Sequence, residues 1–184
     1  MLTIITACCR PENIPTVYKS IHFDKIHMWI IVYDTSNGRT YPKLYMGNSK
    51  ILEVECMGGI VGNPQRNYGM SLVSDGFLYF LDDDNLVHPT FWSILESVEP
   101  DYFYTFDQAW AMKRIRLTGN NIKLTFIDTA MFLVHKRHVR DIQWKVECYH
   151  ADGQFIMDIA EQNSGCHKYI QQIGCYYNLL SKKT

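Results

Sequence analysis

The sequence lacks an excess of charge of either sign. Among its 184 residues, 18 lysines and arginines stand against 19 aspartates and glutamates, for a formal net charge of −1. Proteins that bind nucleic acid through its phosphates usually carry a basic stripe or patch, so this composition predicts no nucleic-acid partner. Short basic clusters occur at 113–116 and 135–140, and we interpret them as solvated faces.

Long apolar runs are also missing. No stretch approaches the roughly 20 residues of a transmembrane helix, and the chain opens on a strand-like segment instead of a signal peptide. The six cysteines form no C-x-x-C pair and are too sparse for a disulfide scaffold. We therefore expect a cytoplasmic enzyme with reduced thiols, and the 47% hydrophobic content predicts a single domain, 1–184, with a sizeable core.

The most informative feature that is present is the acidic triplet Asp82-Asp83-Asp84, directly after the apolar run 77–81. Such a run is typical of a strand that is covered on both faces, and ligands of open α/β sheets bind beyond the carboxyl ends of strands. Side chains alternate along an extended segment, so Asp82 and Asp84 point the same way. The triplet therefore predicts a Mg²⁺ or Mn²⁺ site, whereas the alternative is an acidic turn in which Asp84 or Asn85 caps a helix.

The first half of the chain alternates strands with helices. Asn63 is predicted to cap a helix that has Pro64 at its first position. Short connections between such units favour a parallel, Rossmann-like sheet. Strands are predicted at 2–7, 28–33, 51–56 and 77–81, and helices at 11–21 and 64–73.

The second half reads differently, with short strands and a single helical pattern. Gly119-Asn120-Asn121 is typical of a β-hairpin turn, here between predicted strands at 112–117 and 122–127. Further strands are predicted at 102–106, 131–134 and 169–177, and a helix at 154–162.

Four sequence blocks follow one another in the first half of the chain: Ile4-Ile5-Thr6 with Arg10-Pro11-Glu12-Asn13, Ile30-Ile31-Val32-Tyr33-Asp34, Gln65-Arg66-Asn67-Tyr68-Gly69 and Phe80-Leu81-Asp82-Asp83-Asp84-Asn85. In this order they resemble glycosyltransferases of the GT-A fold, specifically family 2-like enzymes and domains found in bacteria and large DNA viruses. The resemblance implies an α/β fold with a mostly parallel central sheet, helices on both faces and a C-terminal antiparallel hairpin region. Residues 1–100 would bind the nucleotide sugar and 101–184 the acceptor; a viral enzyme would work in the host cytoplasm.

The same resemblance implies a donor site for a nucleoside-diphosphate sugar, with UDP as the expected nucleotide. Asp34 would accept the uracil N–H, although a cap of the following turn is equally compatible with the local sequence. Arg66, in the first turn of a helix, would meet phosphate or base, the alternative being a surface ion pair. Arg10 would contact the donor or only anchor its own loop. The implied donor-binding residues are Thr6, Arg10, Asp34, Arg66, Asn67, Asp82 and Asp83.

For the cation, the resemblance implies Asp84 as the direct ligand of Mn²⁺ or Mg²⁺, with Asp82 as a second candidate. A bound cation would neutralise the charge that develops on the departing diphosphate. Asp82 and Asp83 would otherwise serve the ribose hydroxyls or the water shell of the metal.

The acceptor half resembles the family more weakly, through Asp128-Thr129 and Ala151-Asp152-Gly153. Asp152 would be the base that deprotonates a hydroxyl of a glycan or glycoconjugate acceptor, although an Asp before a helix is also a preferred N-cap. Asp128 and His150 are the competing acceptor-side candidates. Inverting members commonly have Glu-Asp where this chain has Ala151-Asp152, so the stereochemical outcome stays open.

Other functions fit the sequence less well. A nucleotidyltransferase needs a glycine-rich basic loop after the first strand, but the segment 6–10 contains no glycine, and a HAD-type phosphatase needs an Asp-x-Asp there. A degenerate module that binds a sugar nucleotide or a glycan without turnover remains the non-enzymatic alternative.

Overall fold

The computed structural model describes residues 1–38, 40–41, 43, 47–111 and 114–181. Nine strands in this part form one sheet, with β3, β2, β1, β4, β8, β6, β9 and β5 as successive neighbours and β7 paired to β6. The strands are β1 (Leu2–Cys8), β2 (Met28–Asp34), β3 (Ile51–Cys56), β4 (Phe77–Phe80), β5 (Leu86–Val87), β6 (Phe103–Ala109), β7 (Ile115–Leu117), β8 (Phe132–His135) and β9 (His167–Tyr176).

The directions of the strands determine which strand ends lie together at one edge of the sheet. β1 to β4 pair in parallel, β8 runs antiparallel to both β4 and β6, and β9 returns parallel to β6. Six strands therefore share one direction, which confirms the mostly parallel α/β fold expected from the sequence. The carboxyl ends of β1, β2 and β4 lie at one edge, and this brings Arg10, Asp34 and Asp82 together.

In the described ranges, five α-helices flank the sheet: α1 (Ile14–Lys19), α2 (Asn63–Ser71), α3 (Phe91–Glu96), α4 (Lys136–Val139) and α5 (Ala151–Gln162). None of the helices in the described ranges is long and apolar enough to cross a bilayer. The predicted helix at 11–21 is a 3₁₀ turn, Pro11–Asn13, that leads into α1.

Alternation along the buried strands divides the core into two layers. In β4, Phe77 and Tyr79 pack with residues of α1 and α3, whereas Leu78 and Phe80 pack with residues of α2 and α5. β2 alternates in the same way. Both faces of the sheet are therefore covered, which explains why these strands read as continuous apolar runs.

Two local predictions are wrong. Residues 122–127 form no strand; β7 instead pairs with β6, and residues 112 and 113 of the predicted first hairpin strand lie outside the described ranges. Asn63 is the first residue of α2 and Gly62, in the left-handed region at φ 78°, is its cap. The Asn63 side chain donates to the carbonyls of Lys145 and Cys148, so a long-range contact displaced the local capping role.

Candidate active site

A cavity of about 600 Å³ opens at the carboxyl edge of the sheet. This volume lies within the range of small-molecule sites in proteins. Its walls come from the loops after β1, β2 and β4, from the start of α2, and from the second half of the chain. Most of the residues predicted from the sequence line it, namely Arg10, Asp34, Arg66, Asp82, Asp83, Asp84, Asp128, His150 and Asp152.

Asp83 anchors the loop that follows β1. Its side chain is 1% exposed, and Oδ2 accepts from the backbone N–H groups of Cys9 and Arg10, both at 2.7 Å. Oδ1 accepts from Nε of Arg10 at 2.8 Å. Both carboxylate oxygens are therefore occupied by the protein, and Arg10 does anchor its own loop, as the alternative for that residue predicted.

Asp82 and Asp84 are engaged on one oxygen each among the described residues. Asp84 Oδ2 lies 2.8 Å from Nη1 of Arg10 and accepts from Oγ of Ser181 at 2.7 Å. Asp82 Oδ1 pairs with Nη2 of Arg66. Burial is the main cause that raises the pKa of Asp84, with a further contribution from the charge of Asp82.

Arg66 is buried beneath the first turn of α2. Its Nη1 donates to the carbonyl of Val61 at 2.6 Å and to Oδ1 of Asn63 at 3.2 Å. The guanidinium carbon stands 4.8 Å from the centroid of the Trp144 ring. With only 6% of the residue exposed, the surface ion pair considered from the sequence is wrong. Arg66 is a fixed positive charge at the wall of the cavity.

Asp152 and Asp128 both line the cavity, but they have different partners. Asp128 accepts from the N–H of Thr129 at 2.7 Å and pairs with Arg116, whereas Asp152 accepts only from the N–H of Gly153, at 2.7 Å, among the described residues. Burial, followed by the charge of Asp128, raises the pKa of Asp152 to about 6. Burial, followed by the charge of Asp82, also raises the pKa of Asp128, although the charge of Arg116 opposes the rise. The two acids therefore differ in their partners and not in the direction of their pKa shifts.

The N-cap alternative for Asp152 is wrong. His150 occupies the N-cap of α5, Asp152 is the second residue inside the helix, and its side chain lines the cavity. His150 is exposed beside it, with its ring in edge contact with the Tyr149 ring at 5.2 Å. Asp152 therefore lines the cavity while its Oδ1 accepts from a first-turn N–H of α5, that of Gly153.

Arg116 is a cavity residue that the sequence reasoning missed. The sequence predicts a solvated face for its basic cluster, but its guanidinium stacks 3.5 Å from the centroid of the Tyr177 ring and pairs with Asp128 and Gln108. The period-two alternation of β7 was too short to reveal this orientation. Lys113, in the same cluster, lies outside the described ranges.

Two of the predicted donor residues do not line the cavity. Thr6 is fully buried, and its hydroxyl accepts from Nε1 of Trp29 at 2.9 Å. Asn67 exchanges two hydrogen bonds with the backbone of Trp144, at 2.9 and 2.8 Å. Asp34 does line the cavity and also caps its turn, because Oδ1 accepts from the N–H of Ser36 at 2.9 Å.

The charge of the cavity wall is unbalanced. Its lining residues include three arginines and six aspartates, which leaves an excess of three negative formal charges. Within the described part of the chain, no group of three or more His, Cys, Asp or Glu side chains is arranged to hold a metal ion. The acids therefore depend on Arg10, Arg66 and Arg116 for their compensation within the protein itself.

Solved structures share the fold of this chain, whereas sequence comparisons find no match. No family model matches the chain, and no curated protein does. Residues 1–349 of S. aureus TarS match with a TM-score of 0.71 at 11% identity, over 95% of this chain and 59% of that one. The same part of TarS in complex with UDP-GlcNAc gives 0.70 at 11% identity, over 100% and 61%, and its complex with UDP gives 0.68 at 11% identity, over 95% and 59%.

The chain thus spans about three fifths of residues 1–349 of TarS and 36% of the longer TarS chain that it also matches. At this low identity the likeness concerns the path of the backbone and not the side chains. TarS is a glycosyltransferase with a GT-A-like fold, and the chain described here has the fold of those enzymes.

Proposed function

We propose that the protein is a cation-dependent glycosyltransferase that moves a sugar from a UDP-sugar to a hydroxyl of a glycan or glycoconjugate. The observation that carries the proposal is the cavity itself, which residues from both halves of the chain line. We assign Asp34, Arg66 and the acidic triplet to a nucleotide side, and Asp128, His150 and Asp152 to an acceptor side.

The nucleotide side has the groups that a UDP-sugar needs. Asp34 keeps Oδ2 without a partner among the described residues, so it can accept the N–H of uracil. The Arg66 guanidinium, held in place by Val61, Asn63 and Trp144 and paired with Asp82, offers N–H donors of fixed orientation to the diphosphate. S. aureus TarS was solved with UDP-GlcNAc, which makes this sugar nucleotide the first to test.

The donor set also fits a divalent cation. Asp82 and Asp84 each keep one oxygen without a partner among the described residues, and Mg²⁺ in nucleotide sites is commonly held by one or two carboxylates together with phosphate oxygens. A diphosphate entering a cavity with three excess negative charges also needs compensation. When bound, the cation would neutralise charge on the leaving diphosphate.

A donor screen tests the proposal. In thermal-shift measurements with Mn²⁺, we expect one UDP-sugar of a panel at 100 times its Kd to raise Tm by roughly 5–11 °C. The same sugar nucleotide should release UDP when turned over. Asp84→Ala should remove the dependence of both signals on Mn²⁺, because it deletes the proposed ligand.

The control for this screen is Asp101→Ala, which removes an exposed carboxylate away from the cavity. This variant should keep the response of the unaltered protein. Stabilisation without any UDP release would instead identify a module that binds sugar nucleotides without turnover. An Asp84→Ala protein that transfers sugar at the unaltered rate in Mn²⁺ would overturn the metal assignment.

Asp152 is the base in this proposal, because it lines the cavity and its Oδ2 has no partner among the described residues, whereas Asp128 is paired with Arg116. The charged groups that act on Asp152 are Asp128, Asp82 and Arg66, and His150 lies two residues away. A base with a pKa near the working pH combines the deprotonated state with useful basicity.

The pH dependence of kcat follows with a defined sign. Asp152 must be ionised to accept the proton, so with a pKa of about 6 we expect kcat to fall tenfold per pH unit below that value. Asp128→Asn removes a like charge and should move this acid limb to lower pH. Arg116→Met leaves the charge of Asp128 without its arginine partner, so the acid limb should move to higher pH.

The measurement is kcat at saturating donor and acceptor between pH 4.5 and 8 (roughly the range in which a carboxyl of raised pKa titrates). Arg116→Met combined with Asp128→Asn should return the acid limb toward lower pH. An acid limb that neither single variant moves would contradict the assignment of Asp152 as the titrating base.

A further inference from the structure

Three loops around the cavity expose apolar side chains. We call residues 57–62, 121–127 and 144–150 the mouth loops. Tyr149 is 72% exposed and Met57 73%, and the other large apolar side chains that the loops expose are Ile60, Val61, Leu124, Phe126 and Val146. A contiguous exposed apolar surface that borders a cavity is a typical ligand-binding feature.

The mouth loops lie side by side at the acceptor end. The N–H of Ile60 donates to the carbonyl of Val146 at 3.4 Å, which joins the first loop to the third. The backbone of Leu124 packs against Gly153, so closely that a Cβ added there would lie 3.1 Å from it. The second loop therefore reaches the start of α5, beside Asp152. Val61, Thr125 and Tyr149 also line the cavity, so the exposed surface continues into the proposed site.

The backbone conformation of the first mouth loop is fixed by its close neighbours. Val61 is a β-branched residue with φ 46°, a conformation that costs free energy and persists only where the surroundings enforce it. A Cβ on Gly59 would lie 2.1 Å from Pro64, and one on Gly62 would lie 2.7 Å from Ala7. The backbone path thus needs glycine at both positions, and it holds Ile60 and Val61 out at the mouth.

The charge of the mouth loops selects among possible ligands. Residues 57–62 contain no charged side chain, and the other two loops contain only Lys123, Lys145 and Glu147 besides His150. Polyanions and anionic membrane surfaces are bound through basic clusters, which these loops lack. An uncharged apolar group is the chemistry that fits.

We propose that the mouth loops bind an uncharged apolar aglycone, so that the acceptor is a glycoside whose sugar hydroxyl reaches Asp152 while its alkyl or aryl group lies on Ile60, Phe126 and Tyr149. This inference rests on the proposed transferase function, since it names the class of acceptor for the same site. The aglycone stays bonded to its sugar throughout and takes no part in the chemistry.

Paired acceptors test the inference. Methyl and n-octyl β-glycosides of glucose, galactose, mannose and N-acetylglucosamine are compared with the UDP-sugar that the donor screen selects. We expect kcat/KM to be at least tenfold higher for the octyl member of an accepted pair, because burial of two methylene groups is enough for that factor. Ile60→Ser combined with Phe126→Ser should reduce the ratio to about one.

The matched control is Leu52→Ser combined with Leu72→Ser, two side chains of similar exposure outside the mouth loops. This variant should keep the octyl preference of the unaltered protein. Equal kcat/KM for methyl and octyl glycosides, or loss of the preference in the control variant, would overturn the inference.

Binding provides a readout that does not need turnover. In saturation-transfer NMR below the critical micelle concentration, the octyl protons of octyl β-glucoside should receive saturation from the protein and lose it in the Ile60→Ser, Phe126→Ser variant. Absence of that signal from the unaltered protein overturns the inference even if transfer occurs. If the signal is present but no UDP-sugar is turned over, the aglycone surface is supported and the proposed transferase function is overturned.

Discussion

Replacement of Asp152 by Asn is expected to lower the rate of sugar transfer by about 10²–10⁴-fold, the usual contribution of a positioned general base. The amide keeps the shape of the side chain but has no basic oxygen for the proton of the acceptor hydroxyl. Donor binding should change little, because the residues proposed for the nucleotide come from other loops of the cavity. The measurements are kcat for transfer and the Kd of the donor for the same variant.

Asp158→Asn is the matched control, since Asp158 belongs to the same helix but lies outside this cavity, near Lys145 at 3.7 Å. It should retain the unaltered kcat. If Asp128→Asn abolished transfer while Asp152→Asn did not, Asp128 and not Asp152 would have to be assigned as the base.

Replacement of Asp83 by Ala is expected to destabilise the fold by about 2–4 kcal/mol. The change removes the acceptor of two backbone N–H groups and of the Arg10 guanidinium, all at a side chain that is 1% exposed. The estimate is below that for a fully buried ion pair, because the Arg10 side chain is 39% exposed. For a chain of this length the corresponding fall in Tm is roughly 4–16 °C.

Thermal or urea unfolding measures this effect, and Asp101→Ala provides the comparison. Asp101 pairs with Arg137 at 2.7 Å, but the two side chains are 79% and 52% exposed, so its loss should cost less than about 1 kcal/mol. Equal destabilisation by the two changes would show that Asp83 does not hold the loop after β1 in the way described.

The acidic triplet shows which features of the site can be predicted from the sequence. The apolar run 77–81 was enough to predict a buried strand, and the rule for parallel sheets was enough to place its acids at a ligand-binding edge. The cation that the sequence predicts at these acids stays a prediction. The structure supplies positive charge to them through Arg10 and Arg66, and these pairs were not predictable because the two arginines are 73 and 16 residues away from their partners.

The errors have a common physical cause. Asn63 and Asn67 looked like local capping or donor-binding residues, but both donate to backbone carbonyls of residues 144–148, some 80 positions away. Arg116 looked like part of a solvated cluster, yet the aromatic ring of Tyr177 covers it. In each case a contact distant in sequence outweighed the local preference of the residue.

The sequence by itself determined the alternating strands and helices of the first half, the edge at which the acids gather and the resemblance to the GT-A fold. The first two features follow from hydrophobic periodicity and short-range chain geometry, which depend on neighbouring residues, whereas the resemblance rests on the four sequence blocks. Tertiary structure alone decided which carboxylates are paired and which keep an open oxygen. It also brought the mouth loops next to Asp152, because pairing, burial and pKa depend on groups that only the folded chain brings together.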